Sequence, residues 1–279
     1  MFAAIEAGGT KILCAYGRSP DNLILSDPIP TTTPRETIAQ VAAFFAGRKV
    51  KRAGVACFGP LDIAKGRLSA LTPKLEWRTF PIVRAIETAL GCPAILDTDV
   101  NGAALGEHLW GAAQKTKHFV YVTIGTGIGA GAMINGHLIH GKLHPEAGHM
   151  RVRPFAGDLY PGHCPVHGDC LEGLACGPAI AGRWKVSKAE LLPENHSAWP
   201  LEAHYLGQMV LNLTCVYSPE LLIFGGGIGL RTGMVEMVRQ TAAQEMNGYT
   251  PLPKIVRAKL GSRAGVLGAL ALAIRNRVV

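Results

Sequence analysis

Two short β-type runs joined by a glycine turn occur twice in this chain, and that repetition restricts its fold more than any other feature. Phe2 to Ile5 and Lys11 to Tyr16 flank Gly8-Gly9-Thr10, while Phe119 to Ile124 and Ala130 to Ile134 flank Gly125-Thr126-Gly127-Ile128-Gly129. Apolar runs of this length around glycine read as hairpins rather than as a strand feeding a helix. The two copies lie about 115 residues apart, which predicts two related domains, since a fixed internal period marks a repeated structural unit.

Between the copies the pattern alternates as an α/β fold does. A helix is expected from Pro34 to Phe45, with Thr33 as N-cap and Glu36 completing a capping box. Val55 to Phe58 and Pro93 to Leu96 read as buried strands, Phe80 to Leu90 as a helix. After the second hairpin come a loop-rich insertion from Gly141 to Gly168 and helical segments at Pro178 to Trp184 and Pro200 to Val216. Leu221 to Phe224 is a further strand, ending in Gly225-Gly226-Gly227. The expected boundaries are an N-terminal α/β domain over 1–112, completed by a C-terminal helix over 266–279, and a C-terminal α/β domain over 113–265 carrying the insertion.

Length and composition narrow the function classes. A chain of 279 residues, 48% apolar, can bury a substantial core. Its most apolar stretch, Ala264 to Ile274, falls well short of the ~20 residues that span a bilayer, and the opening Met1-Phe2-Ala3-Ala4-Ile5 lacks the basic n-region of a signal peptide. A cytoplasmic protein with no membrane partner is therefore expected. The net charge of +8 favours anionic ligands, but the basic residues are spread along the chain with no run resembling a DNA-binding arm, so no nucleic-acid partner is expected. Five of the seven cysteines (Cys14, Cys57, Cys92, Cys176, Cys215) stand singly in apolar surroundings and read as reduced core residues.

Glycine turns let backbone N–H groups approach a polyphosphate without Cβ obstruction. A single such turn is usually no more than a tight hairpin. Three together, with Thr10, Lys11, Thr123 and Thr126 offering donors beside Gly8, Gly9, Gly125, Gly127 and Gly225 to Gly227, point to a nucleotide. Gly125, Gly127 and Ala130 formally satisfy the dinucleotide fingerprint. That fingerprint must open a helix, however, and Gly-Ala-Met-Ile-Asn-Gly is another β-type run, which disfavours a nicotinamide cofactor. No Walker-type P-loop is present.

Two further constellations carry chemistry. Asp97-Thr98-Asp99-Val100-Asn101 follows a buried strand and precedes a helix-like segment from Ala103 to Trp110. Asp99 or Asn101 there is either a helix cap or, in the case of Asp99, a carboxylate able to take the proton of an attacking hydroxyl. Asp97 falls closer to the strand interior. In the insertion, His149, Cys164, His167 and Cys170 supply the donor number and softness of a closed tetrahedral zinc site. The competing readings are a Cys164–Cys170 disulfide or histidines scattered by chance, and His163, His144 and His140 are alternatives for the fourth ligand.

These residues together resemble the ROK family (repressors, open reading frames, kinases) of the actin-like ATPase superfamily, and within it the fructokinase branch. The likeness spans nearly the whole chain. It rests on Glu6-Ala7-Gly8-Gly9-Thr10-Lys11, Thr72-Pro73-Lys74-Leu75-Glu76-Trp77, Asp97-Thr98-Asp99-Val100-Asn101, His144-Pro145-Glu146-Ala147-Gly148-His149 and Cys164-Pro165-Val166-His167-Gly168-Asp169-Cys170-Leu171-Glu172-Gly173-Leu174. The resemblance implies two ribonuclease-H-like domains of the actin/hexokinase superfamily with an interdomain cleft that closes on ATP and a hexose. Asp99 would be the general base, Thr98, Asn101, Glu146 and Glu172 would face the sugar, and His149, Cys164, His167 and Cys170 would bind Zn2+. The nucleotide, with Mg2+, would lie against Gly9, Thr10, Thr123, Thr126, Pro178, Gly225, Gly226, Gly227, Ile228 and Gly229. Many relatives carry Asp where Glu6 stands and Asn where Thr98 stands, and both departures fit the fructokinase branch.

The expected activity is thus ATP-dependent phosphorylation of fructose, with mannose, glucose or N-acetylmannosamine as alternative acceptors, by a homodimer. The rivals are a non-catalytic sugar sensor, a nicotinamide dehydrogenase and a sugar-responsive repressor, the last disfavoured because the first strand begins within a few residues of Met1.

Overall fold

The computed structural model describes residues 1–275, and the chain divides into two compact units. The first comprises Met1–Lys115, His137–Pro145 and the segment from Ser262 onward; the second comprises Thr116–Gly136 and Glu146–Gly261. The final four positions of the expected C-terminal helix, 276–279, lie outside the described residues. No helix among the described residues is long and apolar enough to cross a membrane.

In the first unit, β1 (Phe2–Ala7) pairs antiparallel with β2 (Lys11–Ser19) through the Gly8-Gly9-Thr10 turn. β3 (Asn22–Leu25) and β4 (Ile29–Pro30) also pair with β2. Helix α1 (Pro34–Phe45) follows, and its capping box is complete. Thr33 Oγ1 accepts from Glu36 N, and the Glu36 carboxyl is held below its ordinary pKa by hydrogen bonds from the Thr32 and Thr33 hydroxyls and the Thr33 N–H. The chain then adds β5 (Ala53–Cys57) parallel to β1, the small hairpin β6 (Leu61–Asp62) and β7 (Arg67–Leu68), helix α2 (Ile82–Leu90) and β8 (Ala94–Thr98) parallel to β5. The sheet order is β3-β2-β1-β5-β8. Helix α2 begins two residues later than the sequence suggests, because Pro81 occupies the N-cap and Phe80 turns to pack edge-on against Trp77.

Helix α3 (Asp99–Trp110) starts four residues earlier than expected. Thr98, not Asp99 or Asn101, is its N-cap. Six of its first eight residues are Val, Gly, Ala or Leu and nearly all are buried, so the apolar signal runs all round the helix rather than along one stripe.

The second unit opens with β9 (Phe119–Ile124) and β10 (Ile128–Ile134), antiparallel through the Gly125–Gly127 turn. Strand β11 (His137–Leu138) begins the excursion of 137–145 into the first unit. After the insertion come α4 (Leu171–Ala175), α5 (Gly177–Trp184) and α6 (Ala198–Tyr217). Strand β12 (Leu221–Gly225) lies parallel to β9, and β13 (Lys254–Arg257) lies parallel to β12. The short turn of helix α7 (Gly226–Gly229) and helix α8 (Met234–Met246) connect these two strands. Both units therefore share one pairing pattern, an antiparallel glycine-turn hairpin followed by parallel strands, which is the repeat legible in the sequence.

Helix α9 (Ala264–Arg275) returns the chain to the first unit and packs on α3 and β5 through small residues. A Cβ at Gly268 would fall on the backbone of Gly102, and one at Gly54 would fall on the carbonyl of Ala269. The helix is anchored at its C-terminal end by Arg52 Nη1, which donates to the Ala273 carbonyl at 2.8 Å.

Candidate active site

The strand-to-helix junction β8–α3 is the chemical centre of the first unit. Asp97, the penultimate residue of β8, is fully buried, and its Oδ1 accepts from Thr98 N at 2.7 Å and from Asn101 Nδ2 at 2.9 Å. Thr98 Oγ1 accepts from Asn101 N at 3.1 Å, which leaves its hydroxyl hydrogen to donate. Between them stands Asp99 as the first residue of α3, its Oδ1 accepting from Val100 N at 2.9 Å. The helix N-terminus supplies backbone donors, yet desolvation outweighs them and pushes the Asp99 carboxyl up to about 6. Thr98 and Asn101, expected to face a sugar, are both almost wholly buried beside it.

Glu6, at the end of β1, lies near enough to Asp99 to feel its charge. Its carboxyl is pushed up to about 7, first by burial and then by Asp99, against the opposing pull of Lys11 and a hydrogen bond from the Val266 N–H at the start of α9. A Cβ at Gly265 would overlap the Glu6 carboxyl group as it stands, so the two pack closely there. In the adjoining turn Gly8 N donates to Lys11 O at 2.9 Å and Thr31 Oγ1 donates to Gly8 O at 2.8 Å, so the loop holding Gly9 and Thr10 is braced from both sides while those two residues are exposed.

In the second unit the glycine turns, far apart in sequence, converge. Gly177 N donates to Gly125 O at 2.7 Å. A Cβ at Gly125 would lie 3.9 Å from Gly227 N, and one at Gly177 would lie 3.6 Å from Ile228 Cδ1. The residues brought together are thus Gly125, Gly227 and Ile228, with Pro178 on the next position of α5. Thr126 is exposed on the same turn, and Thr123 is cross-strand partner to both Gly129 and Gly225. Glu172, expected to face a sugar, has one carboxylate oxygen accepting from Ile128 N at 2.9 Å and lies 2.6 Å from where a Cβ of Gly127 would be. Through that oxygen it also braces the glycine turn, a contact that no local pattern around Leu171-Glu172-Gly173 announces.

The insertion brings His149, Cys164, His167 and Cys170 together, one donor atom from each, all within 4.8 Å of one another. Tetrahedral zinc with Zn–S of about 2.3 Å and Zn–N of about 2.0–2.1 Å requires S···N edges of about 3.6 Å. The distances are 3.5 Å for Cys170 Sγ to His149 Nδ1, 3.7 Å for Cys164 Sγ to His149 Nδ1 and 3.8 Å for Cys164 Sγ to His167 Nδ1. The donor set therefore fits a closed tetrahedral ion. Burial pushes the Cys170 thiol up to about 11, a penalty that a bound cation would reverse by holding the thiolate. Cys164 and Cys170 are free thiols, not a disulfide. Of the alternative ligands, His140 is hydrogen-bonded to Asp97 and His144 Nε2 accepts from Leu61 N at 2.9 Å, both within the first unit. Glu146 precedes the turn of 3-10 helix Ala147–His149, exposed at its surface, and Gly148 of that turn packs against the Ile128 carbonyl. The metal loop is thereby seated on the same strand end as the glycine turn.

Paired glycine-turn hairpins with parallel strands behind them, repeated in two units, define the actin/hexokinase-like fold. Within that class the chain belongs to the ROK family, whose match covers residues 2–276. It is similar to a fructokinase of Zymomonas mobilis (40% identical, covering 98% of this chain and 96% of the relative). It is likewise similar to a fructokinase of Pediococcus pentosaceus (37% identical, 98% of this chain and 97% of the relative). Among solved structures it resembles the ROK hexokinase of Thermus thermophilus, with a TM-score of 0.80 and 28% identity over 99% of this chain and 98% of that one.

Proposed function

We propose that this protein is an ATP-dependent hexose kinase whose preferred acceptor is D-fructose, giving ADP and D-fructose 6-phosphate, with Asp99 as general base. The observation that carries the chemistry is the Asp99 carboxyl. Desolvation draws it up to about 6, and it is presented at a helix start beside two nearly buried polar side chains, Thr98 and Asn101. Phosphoryl transfer asks little covalent work of a protein, so a positioned base and polyphosphate-compatible backbone supply most of what is needed. Asp99 takes the proton of the attacking hydroxyl as its oxygen bonds to the γ-phosphorus, and the β–γ bridging oxygen leaves with ADP. Thr98, Asn101, Glu146 and Glu172 orient the sugar. Gly8, Gly9, Thr10, Lys11, Thr123, Gly125, Thr126, Gly127, Pro178 and Gly225 to Gly229 hold the nucleotide. Mg2+ bound with ATP would supply charge neutralisation at the phosphates.

His149, Cys164, His167 and Cys170 would hold Zn2+ as a structural ion. With four protein ligands it would serve to fix the Ala147–His149 turn and the start of α4, and with them Glu146 and Glu172. The preference for fructose rests on the fructokinases at 37–40% identity over nearly the whole chain. Release of ADP from ATP and Mg2+ in the presence of fructose, mannose, glucose or N-acetylmannosamine tests the reading: turnover with fructose supports it, and silence across the four sugars with ATP bound would favour a sugar sensor.

A further inference from the structure

Asp97 raises a question that its neighbour Asp99 does not. It is a fully buried carboxylate, which a protein tolerates only when it is paired. Its partner comes from far along the chain: His140 Nε2 lies 3.0 Å from Asp97 Oδ2 and 3.1 Å from Oδ1. The Asp97 hydrogen bond holds the His140 ring above its ordinary pKa, with a further contribution from the Leu138 carbonyl that its other nitrogen faces. His144, four residues on, is the opposite case: burial holds its pKa down and it accepts from Leu61 N as a neutral ring.

The Asp97 carboxyl sets the orientation of Asn101. A carboxylate only accepts, so the Asn101 amide must turn its Nδ2 to Asp97 Oδ1, at 2.9 Å. Asn101 Nδ2 and His140 Nε2, 3.2 Å apart, are then two donors converging on one carboxylate. The consequence lies on the other side of the amide. Asn101 is 1% exposed, and its Oδ1 has no hydrogen-bond partner among the described residues. A buried acceptor left without a donor costs on the order of 1–3 kcal/mol, which a donor from outside the chain would relieve.

We infer that His140 is a positioning residue for the acceptor sugar: through Asp97 it locks the Asn101 amide so that Oδ1 is held as a hydrogen-bond acceptor for a substrate hydroxyl next to Asp99. This deepens the kinase reading and rests on it. The relay runs His140 to Asp97 to Asn101 and touches neither the Asp99 carboxylate nor the glycine turns, so its loss should appear in hexose binding and spare the nucleotide. Segment 137–145 thereby acquires a function. It leaves the second unit after β10 and returns at Glu146, and in between it delivers the one imidazole bonded to Asp97 among the described residues.

The test compares wild type with His140→Leu, His140→Gln, Asp97→Asn and the Leu/Asn double variant, reading fructose Kd by calorimetry alongside kcat and both KM values. His140→Leu should raise fructose Kd and KM at least tenfold while ATP KM stays within twofold. His140→Gln, whose amide can still donate to Asp97, should recover most of that loss, and it remains informative if the Leu variant does not fold. The double variant should bind fructose no worse than the poorer single variant, because both changes cut one relay. Fructose Kd within twofold of wild type for His140→Leu, equal losses of fructose and ATP affinity, or full additivity in the double variant would overturn the inference. If wild type binds fructose without turnover, the kinase reading fails while the Kd comparison still decides the relay; if wild type binds no hexose, both fall.

Discussion

Asp99→Asn is the substitution whose consequences the structure defines most fully. The amide keeps the side-chain size, and its oxygen can still accept from Val100 N, so the start of α3 should be undisturbed. What it loses is the ability to take a proton. A positioned general base contributes ~10²–10⁴ in rate, so kcat should fall by that factor while the KM for ATP changes less than threefold, in a steady-state assay of ADP release. Because the Asp99 carboxyl sits at about 6, wild-type kcat/KM should decline about tenfold per pH unit below that value; in the variant that acid limb should vanish. The same substitution should act on stability with the opposite sign. A carboxyl whose folded-state pKa is raised from 3.8 to about 6 binds its proton more tightly in the folded than in the unfolded chain. Its charge therefore costs stability above about pH 6, and that cost disappears as the pH falls towards 4. Asn carries no charge to desolvate, so the ligand-free variant should melt several degrees higher than wild type at pH 8 and show no gain at pH 4. A variant with kcat within tenfold of wild type, or one that melts lower at pH 8, would refute the argument.

Other consequences follow from packing and from the metal loop. Removing zinc with a strong chelator should release one equivalent of metal per chain, open the 141–173 region to protease and raise the fructose KM; an apo-protein with unchanged melting temperature and KM would show that the Cys/His cluster does not hold the loop. Gly268→Val would drive a side chain into the Gly102 backbone where α9 crosses α3. Overpacking at backbone rather than at a flexible side chain should cost about 3 kcal/mol or more, read as a lowered urea midpoint or as insoluble protein. Gly127→Ala places a Cβ 2.6 Å from Glu172 Oε2 and should raise the ATP KM several-fold with little loss of melting temperature, because the carboxylate must abandon Ile128 N.

The sequence disclosed those parts of the molecule whose causes are local. Both glycine-turn hairpins, the Thr33–Glu36 capping box and the close spacing of Cys164, His167 and Cys170 depend on neighbours a few residues apart, and each could be read directly. Element starts were less legible where a cap competes with a continuation. Thr98 took the N-cap for which Asp99 or Asn101 was one reading, and Pro81 delayed α2. The relations that give the site its electrostatics were not legible at all. His140 on Asp97, Glu172 on Ile128 N and Glu6 beside the start of α9 join residues 43, 44 and some 260 positions apart. Nothing in the immediate sequence of any of them distinguishes a buried partner from a solvated charge. His140 in particular sits among other histidines near the metal loop in sequence, which invites assignment to the metal rather than to a carboxylate of the first unit.

The most direct test of the central claim is the chemical fate of the γ-phosphoryl group, followed by 31P NMR in a mixture of protein, ATP, Mg2+ and fructose. The account predicts stoichiometric appearance of ADP and a phosphomonoester at the sugar's 6-position, with fructose giving the highest kcat/KM among fructose, mannose, glucose and N-acetylmannosamine. Appearance of inorganic phosphate alone, or of no product while ATP and fructose are both bound, would contradict it.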